Sequence, residues 1–458
     1  MTAYVVFVAM IACLFVLARH GLEKAFLWVW IPFFLALPFS FWVNIPGLPD
    51  PNFMQAAILP LLFVVVRNRL PSARFGRMEA LLVAYIGWRV FADFTSRGYA
   101  DAQNYGFYLL TCVAGPYLLG RYVIDSRRMD IETSRMFVLM FLVFFPFFLF
   151  EAKFWVSPVF KLLSPLFPNA FSGLSMRWGI ARTAGTFEHP ILACIMVVAV
   201  YRLHRWLAWS GSWDGQQHGW WARLQKVSGQ LRLSLSTTIT LVLLIMAAMT
   251  LSRGPWVGAV AGAALAICGN FKQRGRMLVI MGAVLVFGAL AGSAALDAYI
   301  TPLEGEILSG EAKTMLYRKI MVERYTEFLL ARQWLGWGLT GVPKIAGMES
   351  LDNAFFLMAL QHGVFAPALF VLIFLYAIAS ALKFALKSPP GGAPLGFTFT
   401  GIYVMCFISF ATVYMGAQTE PLLFLLLGWG EGLKYRKVEA PDAADVPAAR
   451  PMYRHVMV

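Results

Sequence analysis

The sequence predicts an all-α, polytopic membrane protein, and three observations lead there. Mean hydropathy is +0.67, with 59% hydrophobic and only 14% charged residues, where a soluble chain carries roughly a quarter charged. Apolar runs near the ~20 residues that span a bilayer recur about thirteen times. Lysine and arginine gather in alternate connections between those runs, the bias of cytoplasmic loops.

In order, the expected spans are 3–18, 25–43, 53–66, 78–94, 106–122, 136–151, 189–207, 235–251, 255–270, 277–296, 353–380, 396–414 and 419–433. The count is about twelve to thirteen, depending on whether the short first and last runs cross. The first run begins almost at Met1 without a basic n-region or a small-residue cleavage site, so it reads as a retained helix.

Six regions follow: N-terminal transmembrane helices (1–151), a first long outer loop (152–188) and central transmembrane helices (189–296). A large outer loop with an amphipathic helix (297–352), C-terminal transmembrane helices (353–433) and a flexible tail (434–458) complete the chain.

One set of connections holds Arg19 and Lys24, then Arg67, Arg69, Arg74 and Arg77, then Arg121, Arg127, Arg128 and Arg135. It continues through Arg202, Arg205, Arg223, Lys226 and Arg232, then Lys272, Arg274 and Arg276, to Lys383, Lys387 and the tail. The short connections on the other side carry only Arg97 and Arg253. The tail is therefore expected in the cytoplasm and the two long loops outside. The net charge of +14 reads as topology, not as a nucleic-acid footprint.

The five cysteines (Cys13, Cys112, Cys194, Cys268 and Cys406) fall inside expected spans, which suits buried small hydrophobes better than a disulfide framework. No Cys/His cluster has metal-ligand spacing, and no cofactor is implied.

The long loops are rich in Trp, Phe, Leu, Pro and Gly, against the composition of disorder. In "YRKIMVERYTEFLLARQWLGWG", helical periodicity puts Met321, Tyr325 and Phe328 on one stripe and Lys319, Glu323 and Glu327 opposite. Arg318 departs from that pattern and projects to the apolar side. A helix lying across the outer mouth of the bundle, ended by Gly336 and Gly338, would aim Arg318 inward; snorkelling to the interface is the plainer reading.

In "MTLSRGPWVGAV", Arg253 closes the eighth span and Pro255 suits the first position of the ninth helix. A helix N-terminus beside an arginine is a ready anion site; an interfacial anchor with Trp256 is the alternative.

In "GIARTAGTFEHPILA", Arg182 precedes a Thr/Gly turn and Pro190 opens the seventh helix. Glu188 either complements that helix end or acts as a base, and His189 before proline fits a structural role at least as well. Asp352 either caps the eleventh span or faces the arginines as a general base. His362 lies about two turns further along, and Arg89, inside the fourth span, has no evident role.

Several arginines with one or two carboxylates suit a multiply charged anion. At an outer membrane face, a lipid-linked pyrophosphate is the natural one, gripped bidentately and stabilised as it leaves.

These residues also carry a resemblance. "TLSRGPWVG" resembles the Ser-Arg-Gly-x-Trp signature of the O-antigen ligase and polymerase superfamily. "RTAGTFEHPILA" is similar to its segment containing Gly-Thr-Phe-x-His-Pro, with Ile191 in place of the usual asparagine. "YRKI…LGWG" resembles its arginine-bearing loop helix, and "DNAFFLMALQHGVFAPALF" the segment that re-enters the membrane. The likeness covers roughly residues 170–380.

It implies a C-type, metal-independent, inverting glycosyltransferase of the bacterial inner membrane. The donor and acceptor would be undecaprenyl-pyrophosphate-linked glycans, with a flippase and a chain-length co-polymerase as pathway neighbours. Arg253 and Arg318 would grip the pyrophosphate and Arg182 would shape the pocket. Asp352 would be the base with Glu188 in reserve, supported by His189, Trp256 and Asn353. Ligases of this group end the large loop in His-Asn; Asp352-Asn353 stands there instead, which fits the polymerase branch better. A ligase onto lipid A–core, and a transporter of an anionic substrate, are the other readings; transporters concentrate charge at mid-membrane in repeats, which this sequence does not.

Overall fold

The computed structural model describes residues 2–69, 75–167, 175–213, 219–230, 232–301, 310–348, 350–388 and 394–436. It is an all-α membrane architecture, as the apolar runs require, because a backbone in lipid must satisfy its own hydrogen bonds.

The helices follow in order: α1 (Phe7–Ala25), a π-helical turn (Phe26–Trp30), α2 (Ile31–Ala36), α3 (Phe53–Arg69), α4 (Arg77–Arg97) and α5 (Tyr99–Leu109). α5 runs on through α6 (Gly115–Leu119) to Asp125, and α7 (Asp130–Phe154) and α8 (Pro158–Leu163) come next. A two-stranded hairpin, β1 (Met176–Arg177) and β2 (Ile180–Ala181), precedes α9 (Pro190–Trp209), α10 (Gly219–Gln230), α11 (Leu235–Met249), α12 (Arg253–Ile267) and α13 (Arg274–Ile300). α14 (Gly310–Ala331) lies in the large loop, and α15 (Ala354–His362), α16 (Phe365–Lys387), α17 (Leu395–Phe410) and α18 (Thr419–Leu433) follow.

Among the described residues, six helical stretches are long and apolar enough to cross a membrane unaided, or seven if the α10–α11 pair, bent by 88°, counts as one. Several other expected spans are shorter helices. α18 is buried along its whole length and α17 along most of it. At 15 residues, α18 is about 22 Å long, enough for a central helix enclosed by neighbours rather than lipid.

Several expected boundaries change. The second span stops at Ala36 instead of 43, because Leu37 precedes Pro38 and adopts the extended backbone that proline imposes. The span expected over 353–380 breaks at Gly363, whose φ of 74° ends α15. A side chain there would strike the Trp334 carbonyl. α7 runs to Phe154 and α13 to Ile300, past the boundaries drawn at 151 and 296.

Contacts between helix ends fall into two sets. At the basic end, Glu23 pairs with Arg127 at 3.0 Å, Arg436 pairs with Asp125 at 2.5 Å and Asp130 at 2.8 Å, and Arg274 donates to the Ser388 carbonyl at 3.0 Å. At the opposite end, Ser40 meets Glu188, Asp93 accepts the Leu339 amide at 2.6 Å, and Ala354 donates to Val413. The described parts of both long loops lie at this second end, the site end.

α14 begins before Tyr317 and ends at Ala331, short of the glycines expected to end it. Met321 and Tyr325 are buried with Leu360 and packed by Val342, Ile345, Met348 and Leu351. The apolar face is thus closed by the loop's own return and by α15. Gly336 and Gly338 lie beyond the helix end at Ala331 and shape that return with φ of 68° and 78°. Lys319 pairs with Asp297 at 3.3 Å.

α12 is set by close approach to α17. Gly254, Gly258 and Gly262 are four residues apart and face Thr412, Met405 and Gly401. A Cβ on Gly258 would lie 2.8 Å from the Met405 carbonyl, and one on Gly262 would collide with the Gly401 carbonyl. Small residues at this spacing let two helix backbones touch, which fixes the N-terminus of α12 and Arg253 with it. Gly262→Leu is expected to cost about 1–3 kcal/mol through overpacking. Its thermal unfolding in detergent should start several degrees lower, whereas Val260→Leu, at a position 71% exposed, should match wild type.

Candidate functional site

The segment 182–189 is held by groups from distant parts of the chain. The buried Glu151 carboxylate, at the end of α7, accepts the Ala184 amide at 3.1 Å and the Gly185 amide at 2.5 Å. Gly185 needs its φ of 64° and abuts Phe148. Ser157 donates to the Gly185 carbonyl at 2.7 Å, and Thr186 to the Leu35 carbonyl at 2.8 Å. Buried amides without such acceptors would each cost about 1–3 kcal/mol.

Arg182 carries the segment onto the turn before α12. Its Nε donates to the Thr250 carbonyl at 3.1 Å, Nη1 to Ser175 Oγ at 3.1 Å and Nη2 to Ser252 Oγ at 3.0 Å. The Thr183 amide adds a bond to the Met249 carbonyl. Leu251 takes the left-handed backbone, φ 48°, which is uncommon for a residue other than glycine; Arg177 donates to its carbonyl. Arg177 belongs to the hairpin, whose tip, Trp178 and Gly179, has positive φ at both residues, the geometry of a type I′ turn. The Arg253 guanidinium lies 4.9 Å from the Trp178 ring centre.

Three arginines, Arg177, Arg182 and Arg253, thus surround the N-terminus of α12. Burial, and then the Arg177 charge, pull the Arg182 guanidinium down to about 10, so it remains a cation at neutral pH. Ser252 is the N-cap residue and Arg253 the first of the helix, which moves Pro255 from the expected first position to the third. Proline is tolerated there because the first four amides have no intrahelical acceptor. Trp256 points back, its indole donating to the Ala247 carbonyl at 3.1 Å.

Arg318 reaches Asp352: Nη2 and Oδ2 are 3.7 Å apart, with side chains 29% and 24% exposed. That spacing is an ion pair without a hydrogen bond. Arg318 Nε is buried with no hydrogen-bond partner among the described residues. Asp352 does not cap the following helix; Asn353 does, its side chain accepting the Phe356 amide at 3.0 Å. Asp352 is left free of that task.

His189 is the N-cap residue of α9. Its Nδ1 caps α9 by accepting the Ile191 amide at 3.2 Å, and Pro190 takes the expected first position. Burial and then Arg182 lower its pKa to about 4, against an opposing pull from Asp352. His189 therefore lies within electrostatic reach of both Arg182 and Asp352, and is neutral at pH 7. Burial raises the Glu188 carboxyl, opposed by the Ser40 amide that it accepts at 2.5 Å. Gln418 Oε1 takes the Glu188 amide at 3.1 Å. Burial, and then the charges of Glu188 and Asp352, push the Tyr414 hydroxyl up to about 12.

Two residues left aside in the sequence find partners in the interior. Arg89 donates to Glu420 at 2.9 Å and to Tyr85 at 2.6 Å, and Tyr108 donates to the other oxygen of Glu420. His362 is fully buried and stacks on Tyr105, 4.9 Å between ring centres. Arg177, Trp178, Glu151, Tyr414 and Gln418 were not singled out by sequence. "MRWGI" carried a hairpin signal in its Trp-Gly pair; Glu151 at the end of an apolar run was a second. Among the described residues, no group of three or more His, Cys, Asp and Glu side chains is arranged to hold a metal ion, and all five cysteines are free and buried.

Residues 238–371 match the family described as O-Antigen ligase (Wzy_C). The match covers less than a third of the chain, so the likeness to the O-antigen ligase and polymerase superfamily is a likeness of this segment. Arg253, Trp256, Arg318, Asp352 and Asn353 lie within the match, whereas Arg182, Glu188 and His189 precede it. The chain matches no curated protein.

Glu151→Ala leaves the Ala184 and Gly185 amides without their acceptor. Hydrogen exchange at those two positions should accelerate by about tenfold or more, while the α16 amides keep their protection; unchanged exchange would show that the carboxylate does not hold the loop. His189 has a folded pKa below its unfolded value, so between about 6.5 and about 4 the unfolded chain binds more protons and stability falls as pH falls. The unfolding temperature should drop less steeply over that window in His189→Asn than in wild type.

Proposed function

We propose that the protein is a glycosyltransferase that joins undecaprenyl-pyrophosphate-linked oligosaccharide repeat units into an O-antigen or exopolysaccharide. The bonds formed and broken lie at the site end, which we assign to the periplasmic face, with the basic end and the tail in the cytoplasm. The positive-inside bias supports that orientation. The observation that carries the reading is the set of cations at the N-terminus of α12, with Arg182 and Asp352 both acting electrostatically on His189 and Asp352 loosely paired with Arg318.

In this reading, Arg253 and Arg318 bind the pyrophosphate of the donor, and the N-terminus of α12 adds its partial positive charge. Arg182, fixed by three hydrogen bonds, shapes the pocket. When Arg318 turns from Asp352 to the pyrophosphate, the carboxylate is released to accept a proton. The acceptor hydroxyl oxygen then attacks the anomeric carbon at the reducing end of the donor glycan. The carbon–oxygen bond to pyrophosphate breaks with inversion, its electron pair leaves on the lipid pyrophosphate, and the hydroxyl proton passes to Asp352. Developing negative charge on the leaving group is stabilised by the arginines. Glu188, with its raised pKa, is the reserve base; His189, Trp256 and Asn353 support the starts of α9, α12 and α15.

The family description favours a second reading, in which the acceptor is lipid A–core and the protein is a ligase. Asp352, where the ligase pattern has histidine, favours polymerisation. Purified protein given lipid-linked repeat units in detergent should lengthen them without added lipid A–core; a ligase would need that acceptor, and a transporter would do neither. Arg253→Ala and Arg318→Ala should each lower turnover by about 10²-fold or more, the loss of one transition-state donor. Arg253→Lys should stay well below wild type because an ammonium cannot bind bidentately. Near-normal turnover in Asp352→Asn would exclude Asp352 as the base.

A further inference from the structure

We infer that the site end carries a second ligand site, a pocket for one neutral sugar ring between the α2–α3 connection and α5. The cavity measures ≈ 220 Å³ and is lined by the aromatic side chains Phe39, Trp42, Phe107 and Tyr108 with Asp50, Gln55 and Asn104. Pockets for drug-sized ligands run to about 300–1,000 Å³, so this one takes a single ring and not an oligosaccharide. None of its lining residues lies in the family match at 238–371.

The lining matches the two-sided chemistry of a pyranose. The ring's C–H faces are apolar and pack on aromatic surfaces, and its hydroxyls need a carboxylate or amides at the edge. Trp42 is 43% exposed, so its indole is open to a ligand.

The polar groups are held before any ligand arrives. Asp50 accepts the Ile45 amide at 3.0 Å through Oδ1 and Asn44 Nδ2 at 3.2 and 3.4 Å. A carboxylate has about four acceptor sites, so Oδ2 keeps room for a hydroxyl. Gln55 is locked by the Asn52 amide at 3.1 Å and by Thr111 at 3.0 Å. Tyr108 is pinned to Glu420 and meets the edge of Phe39 at 5.8 Å. A pre-organised wall loses little freedom on binding.

Charge selects the occupant. Asp50 supplies a negative charge and no cation lines the cavity among the described residues, so the pocket rejects phosphates and uronic acids that the arginine site would attract. Both walls lead to Glu188: Ser40, beside Phe39, donates to its carboxylate, and Gln418, two residues before Glu420, accepts its amide. The pocket therefore gives a glycan a foothold on the side of the site that holds Glu188. Only that role rests on the proposed transfer reaction; the binding does not.

The experiment is saturation-transfer NMR on the full-length protein in lipid nanodiscs. The probes are the methyl glycosides of glucose, galactose and mannose, with methyl glucuronoside as the anionic counterpart. At least one neutral glycoside should receive saturation, strongest at its ring C–H protons, and the glucuronoside should not. Trp42→Ala should reduce the transfer by about threefold or more, the scale of one aromatic contact, and Asn104→Ala should reduce it as well. Arg253→Ala should leave it unchanged while lowering turnover, which separates this site from the proposed reaction. No transfer to any neutral glycoside, equal transfer to the glucuronoside, or full transfer in both pocket variants would overturn the inference.

Discussion

The Arg182 guanidinium is the tie on which the rest of the site depends. Its three hydrogen bonds reach Ser175 at the base of the hairpin and Thr250 and Ser252 in the turn before α12. Segments about seventy residues apart are thereby held against one another. A hydrogen bond from a charged donor contributes about 1.5–3 kcal/mol, so this side chain holds the left-handed Leu251 and the start of α12 in one geometry. Behind it, the glycine face of α12 on α17 keeps the helix from sliding. Arg253 is positioned by both.

Against this fixed half stands a looser one. Arg318 and Asp352 are partly exposed and 3.7 Å apart, and an ion pair of that kind contributes little to stability, about 0–1 kcal/mol. A pair that costs so little to part suits exchange of partners during a reaction. Its support is firm where its contact is not: α14 is packed through Met321 and Tyr325, and Asn353 caps the helix that follows Asp352. Rigid elements thus present two charges whose own bond is easily replaced.

The interior of the bundle follows a different rule. Arg89 and Glu420 are almost fully buried, where an unpaired charge would be expensive. Tyr85, Tyr105 and Tyr108 surround the pair, with the guanidinium 4.9 and 5.1 Å from the Tyr85 and Tyr105 ring centres. Hydrogen bonds and cation–π contacts together replace the water that the ions gave up. The pair ties α4 to α18, and through Tyr108 it also braces the wall of the aromatic pocket.

By itself the sequence determined the helical membrane class, because hydropathy and backbone satisfaction in lipid depend on composition alone. It also located Arg182, Arg253, Arg318 and Asp352 near helix starts or loop helices, since proline, glycine and periodicity are local signals. The Met321–Tyr325 stripe was legible for the same reason. Tertiary structure decided what such signals do not contain: the break at Gly363, the cap at Asn353 in place of Asp352, and the pairing of Arg89 with Glu420 across 331 residues. It also decided that Glu151 holds the 184–185 amides and that His189 feels the charges of both Arg182 and Asp352. Such pairings depend on which helices pack together, and helix packing is a property of whole surfaces rather than of any short stretch of chain.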